Sequence, residues 1–304
     1  MVLVQQMTVL FILMGIGFLC GKKGFITDGF AKNMSWLVVN VATPAMILSA
    51  GMNEESTIRG ESLAFGFLVA LLVYVFLIAV SFVILPVIRV PSEDKNVYRV
   101  MSIFSNIGFM GLPIMQAAYG SEAVLYGVLF QFPYNLLLYS YGIAAMRGEN
   151  PFKNLESLKR VLNVGVISCF LAVAIYVSGI HMPSPISISA KHLSSLAAPL
   201  SMMVIGQSMI HISLKELFGD VRLLVFSIIK LIVIPIIGIF ILRLFIQDEM
   251  ILNVCYIILA TPVGSMTAMM AQQYGGNYSL ASRGVALSTL LSVATIPLVA
   301  LLIG

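Results

Sequence analysis

Residues 105–113 read Ser105-Asn106-Ile107-Gly108-Phe109-Met110-Gly111-Leu112-Pro113, and residues 260–267 read Ala260-Thr261-Pro262-Val263-Gly264-Ser265-Met266-Thr267. Both stretches lie near the middle of long apolar segments. Proline removes a backbone donor and clashes with the preceding helical turn, and glycine lets the freed chain change direction. Each stretch therefore predicts a helix that is interrupted near its middle, with polar side chains beside the break.

The composition around these breaks is typical of a membrane protein. The 304 residues are 60% hydrophobic and 10% charged, and the mean hydropathy is +1.02. Soluble domains have roughly 25% charged residues, so lipid must be the solvent for most of this chain. This excludes a soluble enzyme, a disordered chain and a secreted disulfide scaffold. The net charge of +4 comes without a lysine/arginine block, so we expect no nucleic-acid partner.

The hydropathy pattern predicts an all-α polytopic membrane protein. A spanning helix needs about 20 mostly apolar residues, and the chain has ten such segments. We expect Met1 to Cys20 to remain as the first span rather than be a cleaved leader, because no basic residue precedes the apolar run. The spans are predicted at about 4–20, 33–52, 62–88, 98–119, 122–146, 160–180, 190–211, 221–246, 250–274 and 279–303.

Basic residues predict the orientation of these spans. Cytoplasmic loops are enriched in lysine and arginine, and the loops after odd-numbered spans carry thirteen of the seventeen basic residues. We therefore expect a multi-pass protein of the plasma membrane with both termini outside the cytoplasm. The thirteen residues are Lys22, Lys23, Lys32, Arg89, Lys95, Arg99, Arg147, Lys153, Lys159, Arg160, Lys215, Arg222 and Arg283. The opposite loops carry Arg59, Lys191 and Arg243.

The chain contains an internal repeat. A shift of 155 residues aligns Pro44 with Pro199, Gly51 with Gly206, and Tyr119-Gly120 with Tyr274-Gly275. Each half has five spans, an odd number, so the second half must enter the membrane from the opposite side. The sequence therefore predicts a 5+5 inverted repeat, with residues 1–150 as the first half and 151–304 as the second. Secondary transporters commonly have this architecture, and paired interruptions in the two halves indicate a binding site.

The interruptions predict a site for a small organic anion. New half-helix N-termini present free N–H groups and partial positive charge, and such breaks are tolerated at membrane depth where they line a cavity. The alternative is that the prolines only kink packed helices. The candidate binding residues at the breaks are Asn106, Gly108, Met110, Gly111, Pro113, Pro262, Gly264, Ser265, Met266 and Thr267. Candidates for the cavity wall are Asn40, Thr43, Gln131 and Tyr134.

One basic residue, Lys230, lies well inside a span. It is either a counter-charge for an anionic substrate or a lysine that snorkels to the membrane edge. All thirteen acidic residues fall in loops or near span ends. We expect no metal site, no cofactor and no enzymatic activity, because no hydrolase or nucleotide-binding motif occurs.

The sequence resembles the auxin efflux carrier family, which includes bacterial malate-permease-like proteins and the plant PIN carriers. The matching motifs are Asn106-x-x-x-x-Gly111-Leu112-Pro113, Gln131-x-x-Tyr134-Asn135, Thr261-Pro262-x-Gly264 and Asn40-x-x-x-Pro44. Plant members have a second proline in span nine, where this chain has Thr267. They also have a long insert between spans five and six that this chain lacks.

The resemblance implies ten helices in which the broken spans four and nine cross. A scaffold of spans 1, 2, 6 and 7 would form a homodimer, and spans 3–5 and 8–10 would move as an elevator. The expected substrate is a small carboxylate such as malate or an auxin-like acid. Two alternatives stay open: a sodium-coupled symporter that resembles bile-acid carriers, and a membrane receptor without transport.

Overall fold

The structure, a computed structural model, describes residues 2–53, 60–149, 163–211 and 217–303. Within these ranges the chain is helical, with an isolated antiparallel bridge between Ser105 and Val263. A helix satisfies its backbone donors and acceptors within one segment, as a lipid environment requires. The predicted all-α class is confirmed. Five basic residues used to predict orientation lie outside these ranges: Arg59, Lys153, Lys159, Arg160 and Lys215.

Helices account for most of the described chain. We number the α-helices in chain order: α1 (Val2–Lys22), α2 (Asp28–Leu37), α3 (Thr43–Gly51), α4 (Gly60–Val87), α5 (Lys95–Ile103), α6 (Leu112–Leu137), α7 (Ile143–Arg147), α8 (Val164–Ser178), α9 (Ser184–Ser194), α10 (Ala197–Ser208), α11 (Val221–Ile228), α12 (Ile234–Arg243), α13 (Glu249–Ala260), α14 (Met266–Tyr274) and α15 (Tyr278–Ile303). Four π-helical turns join some of them: Val38–Ala42, Ile107–Gly111, Leu138–Gly142 and Ile229–Val233.

Five continuous helical segments among the described residues are long and apolar enough to cross a membrane. They coincide with predicted spans 2, 3, 7, 8 and 10, and they are Asp28–Gly51, Glu61–Val87, Ser184–Ser208, Val221–Arg243 and Tyr278–Leu302. Shorter apolar helices lie within predicted spans 1, 6 and 9: Thr8–Lys22, Val164–Ser178 and Glu249–Ala260. Span two begins earlier than predicted, because the Thr27 hydroxyl accepts from the Phe30 N–H and caps α2.

The chain folds as two compact units. The first unit comprises Met1–Phe67, Gly108–Phe132 and Asn163–His211, and the second comprises Leu68–Ile107, Pro133–Leu162 and Ile212–Gly304. Each unit therefore draws on both halves of the sequence. The helices of predicted spans 1, 2, 6 and 7 all belong to the first unit.

Close helix contacts hold the first unit together. The helix α1 packs along α10, and α3 packs against α8. A Cβ atom at Gly206 would lie 1.9 Å from the Met14 carbonyl oxygen, and one at Gly51 would lie 2.4 Å from the Ala172 carbonyl oxygen. Glycine at these two positions lets backbones approach without lipid between them, as small residues do in membrane helix interfaces.

Several glycines with positive φ end helical segments, among them the glycines of the two aligned Tyr-Gly pairs. Gly120 has φ 77° and interrupts α6 directly after Tyr119, whereas Gly275 has φ 88° and follows the last residue of α14, Tyr274. Glycine adopts this conformation without the Cβ penalty of other residues. The glycines of the two Tyr-Gly pairs that align in the sequence repeat thus both have positive φ, although ψ is −165° at Gly120 and 17° at Gly275.

Candidate functional site

The two interrupted helices pair with each other at their breaks. Helix α5 ends at Ile103 and α13 ends at Ala260, and the backbone becomes extended after each of these helices. Ser105 and Val263 lie opposite each other in the antiparallel bridge. The Asn106 N–H donates to the Pro262 carbonyl at 2.8 Å, and the Gly264 N–H donates to the Phe104 carbonyl at 2.8 Å. The bridge therefore satisfies backbone groups that the interruptions leave without helical partners.

The residue types at this bridge fit its geometry. Pro262 lacks an N–H, but its carbonyl is the acceptor that the bridge uses. A Cβ atom at Gly264 would lie 3.1 Å from the carbonyl oxygens of Phe104 and Ser105. Glycine at this position therefore permits the close approach of the two chains.

A serine of α15 supports the bridge from the side. The Val263 N–H donates to the Ser288 hydroxyl at 3.1 Å, and that hydroxyl donates in turn to the Gly284 carbonyl at 2.7 Å. The amide of Val263 is thus paired although it lies outside any helix. An unpaired amide at this depth would cost several kcal/mol.

Two polar side chains are buried beside the bridge. Asn106 is 6% exposed. Thr267 is 0% exposed, and its hydroxyl has no hydrogen-bond partner among the described residues. Buried polar groups nearly always have a hydrogen-bond partner. The described residues, by contrast, leave the Thr267 hydroxyl unpaired.

Lys230 reaches the bridge from the π-helical turn Ile229–Val233. Its side chain is 0% exposed, so it does not snorkel to the protein surface. The ammonium Nζ donates to the Ser102 carbonyl at 3.1 Å and to the Ser105 hydroxyl at 2.9 Å. The charge is therefore held at the C-terminal end of α5.

Aromatic side chains surround the same end of α5. The Tyr134 ring meets the Phe104 ring edge-on, with centroids 5.6 Å apart, and lies 6.5 Å from the Tyr74 ring. Tyr134, which the sequence predicts as a binding residue, is buried. It packs against the residue that follows α5 directly.

A pocket of about 390 Å³ is lined in part by Met266, the first residue of α14. This volume is in the range of sites for small molecules. The lining is mostly apolar, and the Arg147 guanidinium lies 5.0 Å from the centroid of the Tyr274 ring. The lining residues are Tyr139, Ile143, Met266, Met269, Met270, Gln273 and Tyr274.

The predicted site residues divide between the two units. The second unit contains Asn106, Tyr134, Lys230, Pro262, Gly264, Ser265, Met266 and Thr267, and the bonds of the bridge connect several of these. The first unit contains Asn40, Thr43, Gly108, Met110, Gly111, Pro113 and Gln131. The Asn40 amide donates to the Trp36 carbonyl of its own helix at 2.9 Å. For the residues of both sets, a role in binding substrate remains a prediction.

Sequence reasoning missed several contributors to this region. Ser102, Ser288 and the pocket residues Tyr139 and Gln273 were not among the predicted binding residues. Ser288 lies in a polar run of α15 with Thr289 and Ser292, and all three are buried. Small polar residues inside an apolar span are the signal that could have identified it.

Comparisons with known proteins cover nearly the whole chain. A model of the membrane transport protein family matches residues 2–300. An uncharacterized transporter of Methanocaldococcus jannaschii is 24% identical over an alignment of 311 positions, which covers 98% of this chain and 98% of that protein. Both matches include the two interrupted helices and the bridge between them.

Proposed function

From its membership of the membrane transport protein family, we propose that the chain carries a small organic anion across the membrane. This family is that of the auxin efflux carriers, which the motifs of the chain resemble. The substrate is a carboxylate such as malate or an auxin-like acid. Transport is secondary active or facilitative and follows an elevator-type alternating-access mechanism.

The observation that carries this proposal is the pair of buried polar side chains at the bridge. Asn106 and Thr267 are buried, and the Thr267 hydroxyl has no hydrogen-bond partner among the described residues. The amide of Asn106 can donate to a carboxylate oxygen, and so can the hydroxyl of Thr267.

Positive potential at the bridge complements an anion. Helix α14 begins beside the bridge, and its N-cap residue Ser265 makes no side-chain capping bond. A helix N-terminus in this state attracts anions. Protonated Lys230 adds positive charge, and because the protein supplies two hydrogen-bond acceptors for its Nζ, it acts on the substrate through its field.

The apolar part of the substrate has a matching surface. The pocket beside Met266 is large enough for a small organic acid and is mostly apolar. The Arg147 guanidinium beside Tyr274 gives this pocket a positively charged neighbour. An anion with an apolar body would therefore enter the pocket and place its carboxylate at the bridge.

We extend the proposal to the architecture of the carrier. The protein has ten spans in a 5+5 inverted repeat, and spans 1, 2, 6 and 7 form the scaffold of a homodimer in the plasma membrane. Equivalent local roles support the repeat: Gly51 and Gly206 both permit close helix contacts, and Gly120 and Gly275 both have positive φ. The transport domain of spans 3–5 and 8–10 contains the bridge.

Thermal unfolding of the purified protein with a carboxylate panel tests the proposal. The panel is malate, malonate, succinate, lactate, indole-acetate and a bile acid, each in sodium and in potassium buffer. A ligand that binds the native state raises its apparent stability by mass action. We expect one anion class to stabilise the wild type in both buffers, and Asn106→Ala to lose the effect with an unchanged protein yield.

Asn33→Ala is the matched control, because Asn33 is an exposed asparagine of α2. It should retain the response to the anion. Stabilisation by an anion in sodium buffer alone would favour the sodium-coupled symporter, and no response to any anion would contradict a carboxylate substrate. Counterflow in proteoliposomes distinguishes a carrier from a receptor, since only a carrier exchanges internal for external substrate.

A further inference from the structure

Lys230 has surroundings unlike those of an ordinary membrane lysine. It is fully buried, and its ammonium donates to a carbonyl, that of Ser102, and to a hydroxyl, that of Ser105. No carboxylate among the described residues pairs with this ammonium. A buried charge is costly unless polar groups compensate it. The compensation here comes from uncharged oxygens.

These oxygens lie where a broken helix concentrates negative potential. Ser102 is in the last turn of α5, which ends at Ile103. The last four carbonyls of a helix lack intrahelical partners and carry partial negative charge. In carriers with discontinuous helices, such half-helix C-terminal ends and unwound carbonyls coordinate a coupling sodium ion or proton.

We infer that Lys230 is a built-in cation, whose ammonium occupies the place at the end of α5 where a coupled carrier would bind a diffusible monovalent cation. The place is always occupied by the Lys230 Nζ, because this group is covalently attached. If the protein is the anion carrier proposed above, anion binding therefore requires no sodium. Removing the Lys230 side chain should leave the oxygens of Ser102 and Ser105 to a monovalent cation from solution.

A purely structural lysine makes a different prediction. In that case Lys230→Ala would lower stability equally in every salt, since lost packing is not replaced by an ion. In the case we propose, a small cation restores part of the lost stability. The dependence of stability on the identity of the cation therefore distinguishes the two roles.

The test is thermal unfolding of the purified full chain in sodium, potassium or choline chloride at constant ionic strength. Lys230→Ala should unfold at least roughly 3 °C higher in sodium or potassium than in choline. Methylammonium should also stabilise it, because methylammonium supplies the missing ammonium group. The wild type should show no difference among these salts.

Two matched variants complete the set. Lys230→Met fills the same space with an apolar chain of similar length, so it should show no cation effect. Lys95→Ala removes an exposed lysine from the other end of α5 and should behave as the wild type. Ser105→Ala combined with Lys230→Ala should weaken the cation effect, because it removes one of the two oxygens.

Equal unfolding of Lys230→Ala in all salts would overturn the inference. If this variant is not recovered in choline, it should be extracted in sodium or methylammonium. Recovery with a small cation supports the inference, and failure to recover it with any cation overturns it. No transported anion is used, so a failure here leaves the proposed carrier function standing. A failure to find an anionic substrate likewise leaves this result interpretable.

Discussion

Gly264 shows at the scale of one residue how the site is built. Its N–H pairs with the Phe104 carbonyl across the bridge, and its Cα faces the backbone of Phe104 and Ser105. A side chain there would meet backbone oxygens, which cannot rotate away as the end of a flexible side chain can. The close approach of the two chains thus depends on the absence of one methyl group.

Replacing Gly264 by alanine should destabilise the protein by about 1–3 kcal/mol, the usual cost of forcing extra atoms into a packed region. The reason is the 3.1 Å separation between the added Cβ and two carbonyl oxygens. The midpoint of thermal unfolding measures this effect. Gly108→Ala is the control, because a Cβ at Gly108 has no other atom within 4 Å. Equal midpoints for the two variants would contradict the steric account.

Prolines explain local irregularities at the scale of the helix. The π-helical turn Val38–Ala42 ends two residues before Pro44, and the turn Ile229–Val233 ends two residues before Pro235. Proline lacks an N–H and clashes with the preceding turn, so the helix widens ahead of it. The second of these turns contains Lys230. The widening therefore lies in the segment that directs the ammonium to the end of α5.

The contact between α1 and α10 in the first unit leads to a second prediction. Gly206→Ala should separate α1 from α10 and destabilise the protein by about 1–3 kcal/mol, because the new Cβ would lie 1.9 Å from the Met14 carbonyl oxygen. Gly15→Ala in α1 should be nearly neutral, since a Cβ there has no other atom within 4 Å. Thermal unfolding of both variants provides the measurement. Comparable losses in both would contradict the packing account, because helix propensity alone would favour alanine at both positions.

The orientation of the whole molecule follows from its basic residues. Lys22, Arg147 and Arg243 are exposed in the structure, and the first two belong to the side rich in basic residues. That excess predicts a cytoplasmic location for Lys22 and Arg147 and the opposite side for Arg243. Both chain termini then lie outside the cytoplasm.

Single cysteines at these positions test the orientation. In a background where Cys20, Cys169 and Cys255 are alanine, Arg243→Cys should react with a membrane-impermeant maleimide in intact cells. Lys22→Cys and Arg147→Cys should react only after permeabilisation. The reverse pattern would invert the predicted orientation. Reaction of Lys22→Cys and Arg243→Cys in the same fraction would contradict the ten-span topology, because seven predicted spans, an odd number, separate them.

The sequence by itself determined the helical membrane class, the family and the positions of both helix breaks. Each of these depends on local properties. Hydropathy follows from composition over about 20 residues, and a proline or glycine breaks a helix through its own backbone geometry. The motifs at Asn106 and Pro262 were therefore recognisable before any contact was known.

Only the tertiary structure decided what these breaks contact. The two bonds of Lys230 join residues 128 and 125 positions apart, and the bond from Val263 to Ser288 joins the bridge to α15. Such pairings depend on which helix faces pack together, and in an apolar chain many faces have similar hydropathy. Hydropathy therefore predicted that Lys230 lies inside a span, whereas packing decided that its charge lies at the end of α5.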